Sequence, residues 1–309
     1  MRDEMSRPPV WRRIGRYRVS SELFLDAVFT SRCGCACPWC VSRTLVTAPE
    51  DRPAWERAVF DAFRLFDIKS VIILGGEATS DPDFFGKTEH LARAMPRDAG
   101  TKLILTTNGI ALRDENFLDR LLASGIDAVN ISRMHHDQET NDRVFGCRTL
   151  SAEEIGLIGR RLRDTGRTLR LNVNVWRGNL DSVAEMETFV RCFAGKCDAV
   201  KFTPLMATDM FGTVPEVTRI SRALAIPENE IAGLWDAFIR AHRLTGRAHE
   251  VLGFVDYAET EVVGQRVILK YAQVEDKYDR DRDIPTLKIY PNGCLSNEWN
   301  FQKDIRPVF

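Results

Sequence analysis

The chain has 309 residues, 44% of them hydrophobic and 28% charged, enough for a sizeable buried core and incompatible with wholesale disorder. With 43 Lys and Arg against 44 Asp and Glu, the formal net charge is -1, which lacks the basic excess that phosphate-dominated nucleic-acid binding requires. No apolar run approaches the roughly 20 residues that cross a bilayer. The Arg-rich N-terminus carries Asp3 and Glu4 and has no apolar core, unlike a secretory signal. Neither a nucleic-acid nor a membrane partner is expected, and a cytoplasmic location is.

In chain order, Glu22–Thr30 reads as a strand running into a cysteine-rich loop, and Pro49–Phe66 as a helix with Trp55, Val59, Phe63 and Phe66 on one side. Val71–Leu74 is a short β-branched strand ended by Gly75 and Gly76, followed by a helix over Asp83–Ala94. Leu103–Thr107 is a strand that stops at Asn108-Gly109, then Arg113–Ala123 is helical and Asp127–Ile131 is a strand. Ser151–Asp164 is a helix opened by a Ser151/Glu154 capping box. Arg170–Val175, Asp181–Cys192 and Ala199–Thr203 continue as strand, helix and strand. Beyond Thr213 the pattern changes to a helix, Glu228–Arg243, with Pro227 as its first residue, and strand-like stretches Val262–Tyr271 and Thr286–Tyr290 around the charged run Glu275–Asp283.

Six strand–helix units with short connections argue for a parallel α/β sheet, either an open partial barrel or a doubly wound sheet. Residues 1–20 are expected to be an N-terminal extension, 21–213 the α/β unit, and 214–309 an α+β extension over its mouth.

Four of the eight cysteines fall within eight positions: Cys33, Cys35, Cys37 and Cys40. A disulfide framework spreads its cysteines, so this clustering points to ligation. Cys33, Cys37 and Cys40 have the spacing C-x3-C-x2-C, which suits three corners of a cubane and leaves its fourth iron open. A zinc site on all four loop thiols is the strained alternative. Cys192 and Cys197 read as structural, and Cys147 is ambiguous.

On these motifs the sequence resembles the radical S-adenosylmethionine (radical SAM) superfamily. Ile73-Leu74-Gly75-Gly76-Glu77 looks like its GGE segment and Thr107-Asn108-Gly109 like its TNG. Asn130-Ile131-Ser132, Asn141–Gly146 and Asn172-Val173-Asn174 are similar to its later strand-end motifs. The resemblance implies a partial (β/α)6 TIM-like barrel and a [4Fe–4S] cluster on Cys33, Cys37 and Cys40. It implies S-adenosylmethionine on the open iron, contacted by Trp39, Gly75, Gly76, Glu77, Asn108, Ser132, Arg143, Asn174, Thr203 and Leu205, with Arg148 a second candidate for its carboxylate. An electron donor such as flavodoxin or ferredoxin would supply one electron, cleaving the cofactor to a 5′-deoxyadenosyl radical that abstracts hydrogen.

The C-terminal region has only Cys294, too few cysteines for a second cubane of the SPASM type, and the N-terminus is too short for a cobalamin domain. The expected substrate is a small polar metabolite undergoing epimerisation, dehydrogenation or rearrangement. A peptide-modifying enzyme is the first alternative, counted against because about 20 N-terminal residues are too few for a winged-helix leader-binding module. A non-catalytic zinc or Fe–S sensor is the second. Cys294 is a candidate hydrogen donor to a substrate radical, against an ordinary buried thiol. His135 and His136 are candidates for substrate contact or proton transfer, against a solvated loop. Trp176, Lys201 and Trp299 are candidates for lining the substrate space.

Overall fold

The computed structural model describes residues 11–40, 42, 49–96, 100–206, 215–250, 255–271, 282–298 and 302–308. The proposed boundary at Thr213, Trp299 and most of the charged run Glu275–Asp283 lie outside the described residues.

The chain begins with a hairpin, β1 (Trp11–Ile14) and β2 (Tyr17–Val28). It continues as α1 (Arg52–Leu65), β3 (Ile68–Leu74), α2 (Phe84–Ala94), β4 (Lys102–Thr107), α3 (Glu115–Ala123) and β5 (Ala128–Ser132). Then come α4 (Gln138–Phe145), α5 (Ala152–Asp164), β6 (Thr168–Val175), α6 (Val183–Phe193) and β7 (Ala199–Pro204). The last part comprises α7 (Pro215–Leu224), α8 (Glu228–His242), β8 (Leu244–Glu250), β9 (Val255–Val262), β10 (Gln265–Lys270), β11 (Asp283–Ile289) and β12 (Leu295–Ser296).

Strands β2 to β7 pair in parallel in sequential order. Sequential order is the signature of a barrel wall; a doubly wound sheet reverses direction at a switch point. The fold is therefore the partial, TIM-like barrel. Among the described residues no helix is long and apolar enough to cross a membrane.

The two ends of the sheet differ from expectation. Residues 11–20 are not an appendage: β1 and the first part of β2 belong to the sheet. The C-terminal strands also join the sheet. Strand β11 pairs in parallel with β2, and β10 pairs in parallel with β7. An open six-stranded wall leaves unpaired N–H and C=O groups along both edges, and these two strands take them up. The stretch Val262–Tyr271 is a tight turn followed by a strand, because Val263 (φ 47°) and Gly264 (φ 76°) reverse the chain between β9 and β10.

Period-two alternation divides the wall into two faces. Leu25, Val71, Ile73, Leu103, Leu105, Leu171 and Phe202 are buried against Trp55, Phe84, Leu121, Ile158 and Phe189 of the helices. In-register neighbours of the other face, such as Asp26–Ile72–Ile104 and Ser132–Asn172–Lys201, line the interior. Helix starts follow local chemistry: Asp51 accepts from the Ala54 N–H, and Ser151 and Glu154 form the full capping box.

Candidate active site at the C-terminal ends of the strands

The cysteine loop leaves β2 after Val28 and lies beside the end of β3. The ladder continues into the loop: the Gly76 N–H donates to Thr30 O (2.7 Å) and the Glu77 N–H to Arg32 O (2.7 Å). A Cβ on Gly75 would sit 2.3 Å from Thr30 O, and one on Gly76 2.3 Å from Arg32 O. The glycine pair therefore admits the backbone of the cysteine loop. Absence of a side chain at both positions is what this close approach of two backbones requires.

Cys33, Cys35, Cys37 and Cys40 are all free thiols, Cys33 exposed and the others half-buried. Hydrogen bonding from Cys35 brings the Cys33 thiol down to about 7, against a smaller opposing effect of burial. Burial pushes the Cys37 thiol up to about 12, and Cys40 and Cys33 beside it act in the same direction. Cys35 is pushed up, first by hydrogen bonding to Cys33 and then by burial and Cys147. Its sulfur also accepts from Asn108 Nδ2 (3.3 Å). The far side of the loop rests on the end of α4, where the Ala36 N–H donates to Phe145 O (2.7 Å). That carbonyl is one of those a helix C-terminus leaves without an intrahelical partner.

Glu77 is buried and both of its carboxylate oxygens accept hydrogen bonds. Oε1 accepts from Thr79 N–H (3.2 Å), Thr79 Oγ1 (2.7 Å) and Thr107 Oγ1 (2.6 Å), and Oε2 accepts from the Asn108 N–H (2.7 Å). An ionised carboxylate accepts about four hydrogen bonds. Glu77 thus ties the end of β3 to the end of β4, while Asn108 Oδ1 accepts from the Ile110 N–H.

Past β5 the sequence reading missed a hub. Arg133 is 1% exposed. Its guanidinium donates to His135 O (2.7 Å), His136 O (3.1 Å), Gln138 Oε1 (3.1 Å) and Leu150 O (2.6 Å). Burial lowers its pKa. Asn141 Oδ1 accepts from the Met134 and His135 N–H groups, fixing the same turn. These contacts span 2 to 17 positions, and no local sequence signal reveals them. His135 and His136 stack with ring centroids 4.3 Å apart. Burial, then His136, lowers the His135 pKa, and His136 Nδ1 is buried without a partner. Among the described residues no hydrogen bond or ring contact joins either histidine to the cysteine loop. Arg143 and Arg148 are exposed.

The inner rim holds the remaining candidates. Ser132, Asn174 and Thr203 are half-buried at the ends of β5, β6 and β7, with Asn174 and Thr203 in register. None of the three side chains has a hydrogen-bond partner among the described residues, which leaves donors and acceptors turned to the rim. Leu205 is buried with Trp39, Met134, Phe145 and Trp176 in an apolar cluster that Cys35, Cys37 and Cys147 also join. The Trp39 and Trp176 rings lie 4.4 Å apart. Lys201 donates to the Tyr257 hydroxyl (3.1 Å). Cys294 is 6% exposed and packs with Val28, Tyr290 and Leu74 on the interior face. Burial, then Asp304, pushes its thiol up to about 12.

The donor set decides which inorganic group the loop fits. Among the described residues no three His, Cys, Asp or Glu side chains converge on a single-ion position. A cubane makes no such demand, since it takes one thiolate at each of three irons. Three of the loop's four free thiols, Cys33, Cys37 and Cys40, with a polar rim beside them, fit a [4Fe–4S] cluster with an open corner and a polar organic ligand on it.

Comparison with known proteins agrees. Residues 27–187 match the Radical SAM superfamily. A PqqA peptide cyclase of Ruegeria pomeroyi is 30% identical over 168 residues, covering 53% of this chain and 43% of that protein. An AdoMet-dependent heme synthase of Methanosarcina barkeri is 28% identical over 163 residues, covering 50% of this chain and 43% of that protein. SuiB of Streptococcus suis, solved with S-adenosylmethionine, superposes with a TM-score of 0.60 at 17% identity, covering 94% of this chain and 66% of SuiB. The same protein has been solved bound to the precursor peptide SuiA, with a TM-score of 0.59. The chain spans under half the length of these curated relatives. It belongs to the radical SAM superfamily, whose members work with a [4Fe–4S] cluster and S-adenosylmethionine.

Proposed function

We propose that this radical SAM enzyme acts on a peptide, abstracting hydrogen from an unactivated carbon. The observation that carries the reading is the similarity, over half the chain, to a PqqA peptide cyclase, supported by the fold shared with a protein solved with its precursor peptide. This revises the expected small polar metabolite. That expectation leaned on the short N-terminal stretch, which carries no weight in a chain matching only part of its relatives.

In this reading Cys33, Cys37 and Cys40 hold the cluster, and Cys35 stays outside the ligand set because its sulfur faces Asn108 and Cys147. When bound, the cluster and S-adenosylmethionine supply one-electron cleavage and hydrogen abstraction. The chain's own residues orient and shield. Ser132, Asn174 and Thr203 offer unpartnered polar groups to the cofactor, and Trp39, Trp176 and Leu205 form an apolar wall that keeps water from it. Glu77 ties the strand ends together and, with a single partner on Oε2, remains a candidate contact for the cofactor. Residues 21–213 form the catalytic unit, and an external one-electron donor reduces it. Cys294, packed with Val28, Leu74 and Tyr290, is the candidate hydrogen-atom donor to a substrate radical.

The test is anaerobic turnover with reductant and S-adenosylmethionine, following 5′-deoxyadenosine and the mass of added peptides. Peptide-dependent nucleoside release with an altered peptide mass is expected. Release that depends on a small metabolite and never on a peptide refutes the reading. It would favour the second reading, a small-molecule substrate, which the similarity to a heme synthase supports.

A further inference from the structure

Two thiols beside the loop have no part in this scheme. Cys35 lies between two assigned ligands, and Cys147 follows α4 at a distance of 112 positions, yet their sulfurs are 2.8 Å apart. The contact is a thiol–thiol hydrogen bond in which either sulfur can donate, and it is shorter than the roughly 3.5–4.0 Å at which even carbon atoms rest without a bond. The backbones on either side are already fixed together. The Ala36 N–H bonds to Phe145 O, and a Cβ on Gly146 would lie 3.0 Å from the Ala36 Cβ. Asn108 Nδ2 holds the Cys35 sulfur from a third direction. Both thiols are half-buried and so within reach of a small reagent.

We propose that Cys35 and Cys147 form a reversible disulfide that fastens the cluster loop to the C-terminal end of α4. The proposal rests on the assignment of Cys33, Cys37 and Cys40 as ligands, which leaves Cys35 unligated. The oxidant is a low-molecular-weight disulfide such as oxidised glutathione. One protein thiolate attacks it and releases one small thiol, and the second protein thiolate then displaces the other. Two protein S–H bonds are lost, one protein S–S bond forms, and the two small thiols released carry the electron pair and the protons. Without this partner, Cys35 is the loop thiol free to capture a ligand cysteine whenever the cluster is absent. Paired with Cys147, it leaves the three ligands reduced for reassembly.

The anaerobically reconstituted full chain is treated with oxidised glutathione, denatured, alkylated and digested without reductant. Two fewer of its eight cysteines than in a reduced control are expected to take the label, with one linked peptide joining Cys35 to Cys147 and the iron content unchanged. Cys147→Ser keeps its iron and loses the link, and after chelation and oxidation it recovers less iron than the wild type. Full labelling of both cysteines, or a link from Cys35 to Cys33, Cys37 or Cys40 in the wild type, overturns the proposal. Loss of iron from Cys35→Ser under reducing conditions overturns the ligand assignment instead.

Discussion

Gly76→Ala is predicted to displace the cysteine loop. The new Cβ would lie 2.3 Å from Arg32 O and 2.4 Å from Ser31 O, both backbone atoms that no rotamer change can move. Relief requires the loop to back away from β3, which lengthens the 2.7 Å bonds Gly76 N–H to Thr30 O and Glu77 N–H to Arg32 O. Overpacking costs roughly 1–3 kcal/mol, and two weakened hydrogen bonds add about 0.5–1.5 kcal/mol each. A total on the order of 3 kcal/mol corresponds to a fall in Tm of about 5 °C, at an unfolding entropy of roughly 2.1 cal/mol/K per residue for a chain of 309 residues. The same movement separates Cys33 from the rest of the loop's support, so iron retained after anaerobic reconstitution falls with it. Gly34→Ala is the control within the same loop, since its Cβ would meet nothing within 4 Å. Thermal melts and iron analysis of both variants give the answer. Equal Tm and iron in Gly76→Ala and wild type would refute the close-approach argument, as would greater damage from Gly34→Ala.

Four further outcomes follow from the same geometry. Cys33→Ala, Cys37→Ala and Cys40→Ala each lose the reconstituted iron while Cys35→Ala retains it, as read by iron and sulfide analysis. Glu77→Gln turns an acceptor of four hydrogen bonds into a side chain with a donor aimed at Thr107 or Asn108, a loss of about 1.5–3 kcal/mol by thermal melt. Trp176→Ala removes the ring against Trp39 and costs about 3–5 kcal/mol with loss of iron retention, whereas Trp176→Phe keeps most of both. Hydrogen bonding from Arg113 holds the Glu154 carboxyl below the usual carboxylate range. A depressed native pKa adds stability that is present above the unfolded value, about 4.3, and lost as pH falls through the native one. Glu154→Gln therefore flattens the acid limb of the stability–pH curve, and an unchanged limb contradicts the assignment.

The barrel was legible because its wall is written in short apolar, β-branched runs, such as Val71–Leu74 and Leu103–Thr107, each closed by a glycine or Asn-Gly signal. The cysteine loop was legible for the same local reason. Helix α4 was not, although its signals are present: Asp137 caps its start and Gly146, in the left-handed region, ends it. Its polar Gln138–Phe145 sequence buries only Asn141 and Phe145, so the apolar stripe that marks a helix is missing. The strands β8 and β9 likewise went unread, and the hairpin at Val263 hid behind a β-branched residue in a conformation that such residues rarely adopt. The role of Glu77 depends on Thr107 and Asn108, some 30 positions away, and the closeness of Cys35 and Cys147 on a separation of 112. Such pairings come from the barrel's closure, which only the three-dimensional arrangement supplies. The glycine pair shows the converse: its presence was legible, but the surface it approaches was not.

The most direct test of the whole account is anaerobic incubation of the reconstituted protein with S-adenosylmethionine and a strong reductant. A preparation holding about four irons per chain is predicted to release 5′-deoxyadenosine, and the Cys33→Ala, Cys37→Ala and Cys40→Ala variants to release none. A fully iron-loaded wild-type protein that leaves S-adenosylmethionine intact would contradict it.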